Sequence, residues 1–201
     1  MTTWMHEQRL QAVSAEVREC GAASLLDLGC GDGDLAVRLA VEPRIQRIVG
    51  VDVCRQSLDR LRTRLESLDR AAAAKVELLH GSLADPGPGL TGFDCAVLVE
   101  AIEHTEPGRL SVLEQAVFGR MRPASVVITT PNAEFNPLLG VPAHRFRHPD
   151  HRFEWDRRKF RRWAEGVAGR HAYAVVCRDV AGSHPDVGGA SQMAVFTARP
   201  N

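Results

Sequence analysis

Ser24-Leu-Leu-Asp27-Leu-Gly29-Cys-Gly31-Asp-Gly33 is the stretch whose reading decides the fold. Ser24–Leu28 is short and dominated by apolar side chains, as a buried strand should be. The glycines at alternate positions then make a turn that feeds a helix running through Ala40. Such a turn lets the backbone approach a ligand closely, and the helix that follows offers free N–H groups at its start. A nucleotide fold uses similar turns, and a glycine turn with structural aspartates is the plain alternative. Two acids sharpen the reading. Asp27 precedes the first glycine by two residues, and Asp52 closes the next apolar run, where it can accept both hydroxyls of a ribose. An acid within the turn repels a pyrophosphate but attracts the cationic amino-acid end of a sulfonium cofactor.

Outward from this turn, strands and helices alternate. An amphipathic helix is expected over residues 1–20, with Leu10, Val13 and Val17 at helical spacing. Further strands are expected at Arg47–Asp52, Val76–His80, Phe93–Val99 and Ser125–Thr130, with helices over Ser57–Ala73 and Arg109–Arg120 between them. The cluster Asp85-Pro-Gly-Pro-Gly89 reads as a loop. Beyond Pro131 the pattern breaks over Asn132–Trp155, a length that marks functional or mobile segments. A helix over Arg157–Ala168 and two strands, Ala172–Arg178 and Ser191–Ala198, close the chain around a loop at Gly182–Gly189. The order predicts one α/β domain over residues 1–201: seven strands, mostly parallel, helices on both faces, and an antiparallel last hairpin.

The chain has 201 residues, 44% hydrophobic and 25% charged, which excludes disordered, collagenous and coiled-coil classes. No apolar run approaches the ~20 residues of a membrane helix, and the N-terminus lacks a charged-then-apolar signal pattern. Five scattered cysteines (Cys20, Cys30, Cys54, Cys95, Cys177) without a CxxC pair point to reduced thiols and a cytoplasmic protein. Net charge is zero, yet between Ala143 and Arg170 nine Lys/Arg face four acids, a local excess of +5. Such a segment is either a footprint for a polyanion or a solvated helix face.

Glu100-Ala-Ile-Glu103-His104 follows the fourth strand. If a helical turn begins there, positions i, i+3 and i+4 share a face, and two carboxylates with an imidazole make a hard O/N site suited to Mg²⁺ or Mn²⁺. A solvated first helical turn, where acids meet the helix dipole, is the alternative. The irregular segment adds His144, His148 and His151, any of which could complete a metal shell or belong to the basic surface. Phe153 and Trp155 could stack a flat ligand, but their alternation with Arg152 and Glu154 favours a place in the core. Thr130, Pro131 and Asn132 lie near the expected substrate, although a strand-ending turn accounts for Pro-Asn.

Taken with the glycine turn and the order of elements, the chain resembles the Rossmann-like S-adenosylmethionine-dependent methyltransferases. The resemblance implies that Gly29 and Gly31 lie against the donor, that Asp52 holds its ribose, and that Ser82 in His80-Gly-Ser82 is near its adenine. Glu100-x-x-Glu103-His104, Thr129-Thr-Pro-Asn132-Ala-Glu134-Phe-Asn136 and Arg147-His-Pro-Asp-His151-Arg-Phe-Glu-Trp155 make it more specific. These three motifs resemble the small-RNA 3′-terminal ribose 2′-O-methyltransferases of the Hua-enhancer family, whose bacterial members act in RNA repair. By position, the resemblance implies metal ligands Glu100, Glu103, His104 and His151, with the RNA 3′ end as partner. Residues 1–23 alone precede the first strand, whereas bacterial repair members commonly carry this domain at the end of a longer chain. A repair or ligase partner is therefore not assigned.

The chemistry fits these residues. A ribose hydroxyl is a poor nucleophile, and a divalent ion acting as a Lewis acid lowers its pKa. An ion that chelates adjacent 2′ and 3′ hydroxyls would recognise an RNA end without reading sequence. His104 or a nearby histidine could then take the proton as general base, and Glu103 is placed with His104 as a catalytic residue. A metal-dependent methyltransferase for a small vicinal diol and a catalytically silent RNA-binding module are the competing functions. The basic, histidine-rich loop favours RNA over the diol, and the intact acids and glycines favour an enzyme over the silent module.

Overall fold

The computed structural model describes residues 4–85, 87 and 89–200, so Pro86 and Pro88 of the Asp85–Gly89 loop lie outside the described residues. Seven strands form one sheet in the order β3-β2-β1-β4-β5-β7-β6. They are β1 (Ser24–Leu28), β2 (Arg47–Asp52), β3 (Val76–His80), β4 (Cys95–Val99), β5 (Ser125–Pro131), β6 (Tyr173–Val180) and β7 (Ser191–Ala198). The first five run parallel, while β7 pairs antiparallel with both β5 and β6. The expected mixed sheet and closing hairpin are both present.

Side-chain alternation divides the core in two. Leu26, Leu28, Ala96, Leu98, Val126 and Ile128 point to one face. There they meet α5 (Leu110–Glu114), its π-helical continuation Gln115–Met121, and α6 (Arg157–His171). Leu25, Ile48, Cys95, Val97 and Val127 point to the other, against α1 (Trp4–Glu19), α2 (Asp34–Ala40) and α3 (Arg55–Glu66). Phe118 anchors the first layer, its ring 5.2 Å from Tyr173 and 4.8 Å from Phe196 in edge-to-face contacts. Leu10, Val13 and Val17 are all buried, as the periodicity of α1 predicts.

Several boundaries differ from expectation, α6 running on to His171 and β6 spanning Tyr173–Val180 among them, and three departures have a visible cause. The helix predicted over 57–73 is broken: α3 ends at Glu66 and a short α4 (Arg70–Ala73) starts afresh, capped by the Asp69 carboxylate on Ala72 N at 2.9 Å. Strand β4 begins at Cys95, not Phe93, because Asp94 turns its carboxylate onto the N–H groups of Ala23 and Ser24 at 2.9 and 2.8 Å. The irregular segment contains a 3-10 helix, Ala133–Leu139, whose start is capped by Asn132 on Glu134 N at 3.0 Å. Phe153 and Trp155 stack on each other at 4.2 Å and are buried, so the core reading holds and they are not surfaces for a base. Among the described residues no helix is long and apolar enough to cross a membrane, and all five cysteines are unbridged.

Candidate functional site

The strand order reverses beside β1, where β2 lies on one side and β4 on the other. At the carboxyl ends of these strands a crevice forms, as in doubly wound sheets generally. It is a cavity of about 600 Å³, lined by Asp27, Gly29, Gly31, Asp52, Glu100 and His104 among others.

The glycine turn is built as its sequence demands. Gly29 and Cys30 donate to Val51 O at 2.8 and 3.2 Å, tying the turn to β2. Gly33 has φ 82°, and a Cβ there would lie 2.0 Å from Leu61 Cδ1, so any side chain is strained and must displace the buried Leu61. Gly31 opens onto empty space, and its N–H donates to Asp52 Oδ2 at 2.8 Å. Asp52 Oδ1 accepts from Cys54 N at 2.8 Å. Two backbone donors thus fix this carboxylate at the cavity wall, and each oxygen keeps a lone pair for another donor. Asp27 is buried, and its Oδ2 has no partner. Burial, with the Asp52 charge behind it, pushes its carboxyl up to about 7. A buried acid with an unsatisfied oxygen on a cavity wall is suited to a cationic ligand.

At His104, which lines the cavity, Glu103 and His151 converge, with one potential ligand atom from each of the three within 4.8 Å of the others. Ligands opposite one another across a small divalent ion at ~2.1 Å stand about 4 Å apart, so the cluster is of that size. Glu103 is fully buried; Thr130 Oγ1 donates to its Oε2 at 3.0 Å while Oε1 has no partner. Burial and the neighbouring Glu100 push the Glu103 carboxyl well above its ordinary range. Two crowded acids with orphaned oxygens are the environment a bound cation relieves. His104 is held below its ordinary value by burial and by His151 and His148, which favours the neutral, ligating imidazole.

His151 reaches the cluster because Glu154 holds it: Nδ1 lies 2.5 Å from Glu154 Oε1. Burial works against the Glu154 charge, but hydrogen bonds from His151, Asn136 Nδ2 at 2.6 Å and Arg147 N at 2.8 Å keep its carboxyl below the usual range. An ionised acceptor on Nδ1 leaves Nε2 bare for a ligand. Arg147 ties the same loop down by donating to Asn136, to Ala190 O and to Asn132 O.

The expectation that Glu100, Glu103 and His104 share a helical face requires correction. Glu100 adopts φ 51°, and only Ile102–His104 form a 3-10 turn, so helical i, i+3, i+4 geometry does not operate. Glu100 stands outside the three-residue cluster. Its Oε2 pairs with Arg9 Nη1 of α1 at 3.4 Å, and its Oε1 has no partner. Ser82 is exposed and does not line the cavity; its hydroxyl accepts from Ala84 N at 3.3 Å, while Leu83 beside it reaches the wall. His148 is exposed with its ring 6.0 Å from that of His104, and His144 is exposed on the loop outside the cluster. Asn132 is spent on structure, donating to Val187 O and Gly189 O.

Sequence reasoning missed the contribution of α1. His6 and Leu10 line the cavity, and Arg9 is the counter-charge of Glu100. It also gave Glu154 and Asn136 no task. Glu154 stands three residues after His151, a spacing that could have been read as an orienting partner.

Residues 26–126 match the methyltransferase-domain family. Over 97% of this chain there is 38% identity to the small RNA 2′-O-methyltransferase of Gallus gallus, and over 96% there is 32% identity to that of Arabidopsis thaliana. The chain spans about half of the first relative, 54%, and 22% of the second. Among solved structures it is similar to the methyltransferase domain of bacterial CtHen1-C, with TM-score 0.87 and 34% identity over 98% of this chain and 100% of that one. The chain therefore belongs to the methyltransferase-domain family, with the fold of the class I S-adenosylmethionine-dependent enzymes, in the branch of the Hen1 methyltransferase domains.

Proposed function

We propose that this domain transfers the methyl group of S-adenosylmethionine to the 2′-hydroxyl of the 3′-terminal ribose of RNA. Glu103, His104 and His151 would hold Mg²⁺ or Mn²⁺, and the unpartnered Oε1 of Glu100, whose charge bears on Glu103, would be the further ligand. The observation that carries the reading is that His104 belongs both to the cavity suited to the donor and to the ligand cluster. Donor and nucleophile would then meet at one side chain, and alignment of the two is most of what a methyl transfer requires.

The chain's residues divide the work. Asp52 accepts the donor's ribose hydroxyls on lone pairs left over from its two backbone bonds. Asp27 receives the donor's ammonium group, an interaction strengthened by burial. Gly29 and Gly31 leave room for the donor backbone against the turn. Thr130 fixes Glu103, and Glu154 fixes His151, so both ligands are oriented before anything binds. The bound ion supplies Lewis acidity, lowering the pKa of the ribose hydroxyl. His104 or Glu103, whichever is left with a free lone pair, accepts the proton released from that hydroxyl.

The test is incubation with labelled donor and two RNAs, one ending in 2′,3′-hydroxyls and one in 2′-deoxyribose. Label is expected only in the first, at its terminal nucleotide. Label in the deoxy RNA, or spread over internal riboses, sinks the reading. Tight donor binding without any transfer would support the silent module instead.

A further inference from the structure

The excess charge of residues 143–170 is not spread evenly over the surface. Arg147 is consumed inside its loop, Arg152 pairs with Glu106 at 3.2 Å, Arg157 with Glu134 at 2.7 Å, and Arg170 with Glu114 at 2.7 Å. Lys159 sits over the Trp155 ring. Arg158, Arg161 and Arg162 are exposed and form no ion pair among the described residues. Together with Arg157, Glu134 and Glu165 they line a groove of about 440 Å³ on α6.

Arg161 and Arg162 stand three and four positions after Arg158, so each is its near neighbour on the helix surface, where like charges repel. Asp156 caps α6 on Lys159 N at 2.6 Å, but the first turn that follows carries Arg157, Arg158 and Lys159 and no acid, the wrong sign for that end of the helix dipole. A helix that sets three unpaired cations side by side against its own stability is built to meet an anion. The groove is also tied to the ligand cluster. Arg157 bonds Glu134 on the 3-10 helix Ala133–Leu139, and Asn136 on the same helix bonds Glu154, which holds His151. Arg157 comes six positions after His151, so at most about 21 Å of chain lies between them.

We propose that Arg158, Arg161 and Arg162 form a phosphate track for the RNA body, a few nucleotides upstream of the terminal ribose. This inference rests on the RNA reading of the site. Guanidinium groups suit it because each can clamp a phosphate with two parallel N–H bonds. The track reads no base, so it adds affinity and salt dependence without sequence preference.

The experiment measures binding and methylation of a twenty-nucleotide RNA across a salt series. The variant Arg158→Gln/Arg161→Gln/Arg162→Gln is compared with its Lys counterpart. Release of counterions gives a slope of about 0.7 per neutralised phosphate on a single strand. Losing the track should therefore lower the slope by about 2 and raise KM for this RNA at least tenfold. Donor affinity, measured by calorimetry, should be unchanged, which shows that the variant is folded. The Lys variant should keep most of the slope. Wild-type methylation with an unaltered slope and KM in the Gln variant would overturn the track and leave the terminal-ribose reading standing. A wild-type protein that neither binds nor methylates RNA would overturn both.

Discussion

Glu154 holds His151 by a 2.5 Å contact from Oε1 to Nδ1, and both side chains are almost wholly withdrawn from solvent. A ligating histidine with an anchored second nitrogen presents its first in one orientation and one tautomer. Glu154→Gln keeps the shape but removes the charge that fixes the tautomer. It is expected to weaken Mn²⁺ binding 10- to 100-fold while leaving donor affinity intact. Metal titration by calorimetry checks this, and equal affinities in the two proteins would refute the orienting role.

Chelator should abolish methyl transfer without releasing the donor, since Asp27, Asp52 and the glycine turn bind it without an ion. His151→Ala and Glu103→Ala should each mimic the chelator. His148→Ala and His144→Ala should be far milder, because neither residue is in the three-residue cluster. Robust transfer in excess chelator would return Glu103 and His104 to structural roles.

Asp52→Ala removes two accepting oxygens from the donor's ribose. Hydrogen bonds to a charged group contribute about 1.5–3 kcal/mol each, so donor affinity should fall by at least tenfold. Asp52 also holds the N–H groups of Gly31 and Cys54, so a lower melting temperature is expected as well. Calorimetry and thermal melts give the two readouts. Unchanged donor affinity would remove Asp52 from the cofactor site.

Asp27 gives a dependence on pH. Its carboxyl titrates at about 7 in the folded chain, against 3.8 ordinarily, so the folded state holds this proton where the unfolded state has lost it. Stability of the donor-free protein should therefore fall as pH rises from about 4 to about 7, by up to about 1.4 kcal/mol per pH unit. Asp27→Asn should flatten that decline. Denaturant melts at a series of pH values test it, and identical slopes in the two proteins would show that Asp27 is not the titrating group.

Much of the fold was legible in the sequence because its signals are local. Ser24–Leu28, Arg47–Asp52, Val76–His80 and Ser191–Ala198 match the observed strands, since apolar runs bounded by turn residues need no distant partner to be recognised. Gly29, Gly31 and Gly33 were legible as a ligand turn for the same reason, through φ values that side chains avoid. Where a helix stops was less legible: Asp69 captures Ala72 N and breaks a run that composition alone would continue.

The site itself was decided by tertiary structure wherever a side chain had two possible partners. Sequence spacing put Glu100 on one helical face with Glu103 and His104, but a left-handed backbone breaks that face and the Arg9 guanidinium of α1 takes one of its two oxygens. Arg9 lies 91 positions away in sequence, and no periodicity could have announced it. The basic segment was visible as a sum of charges. Only folding showed which arginines are spent on Glu106, Glu114 and Glu134, and that Arg158, Arg161 and Arg162 stay unpaired among the described residues along the groove on α6. Local backbone preference is written residue by residue, so the sequence alone determines strands and turns. Charge pairing depends on distance in space, and that exists only once the chain has closed on itself.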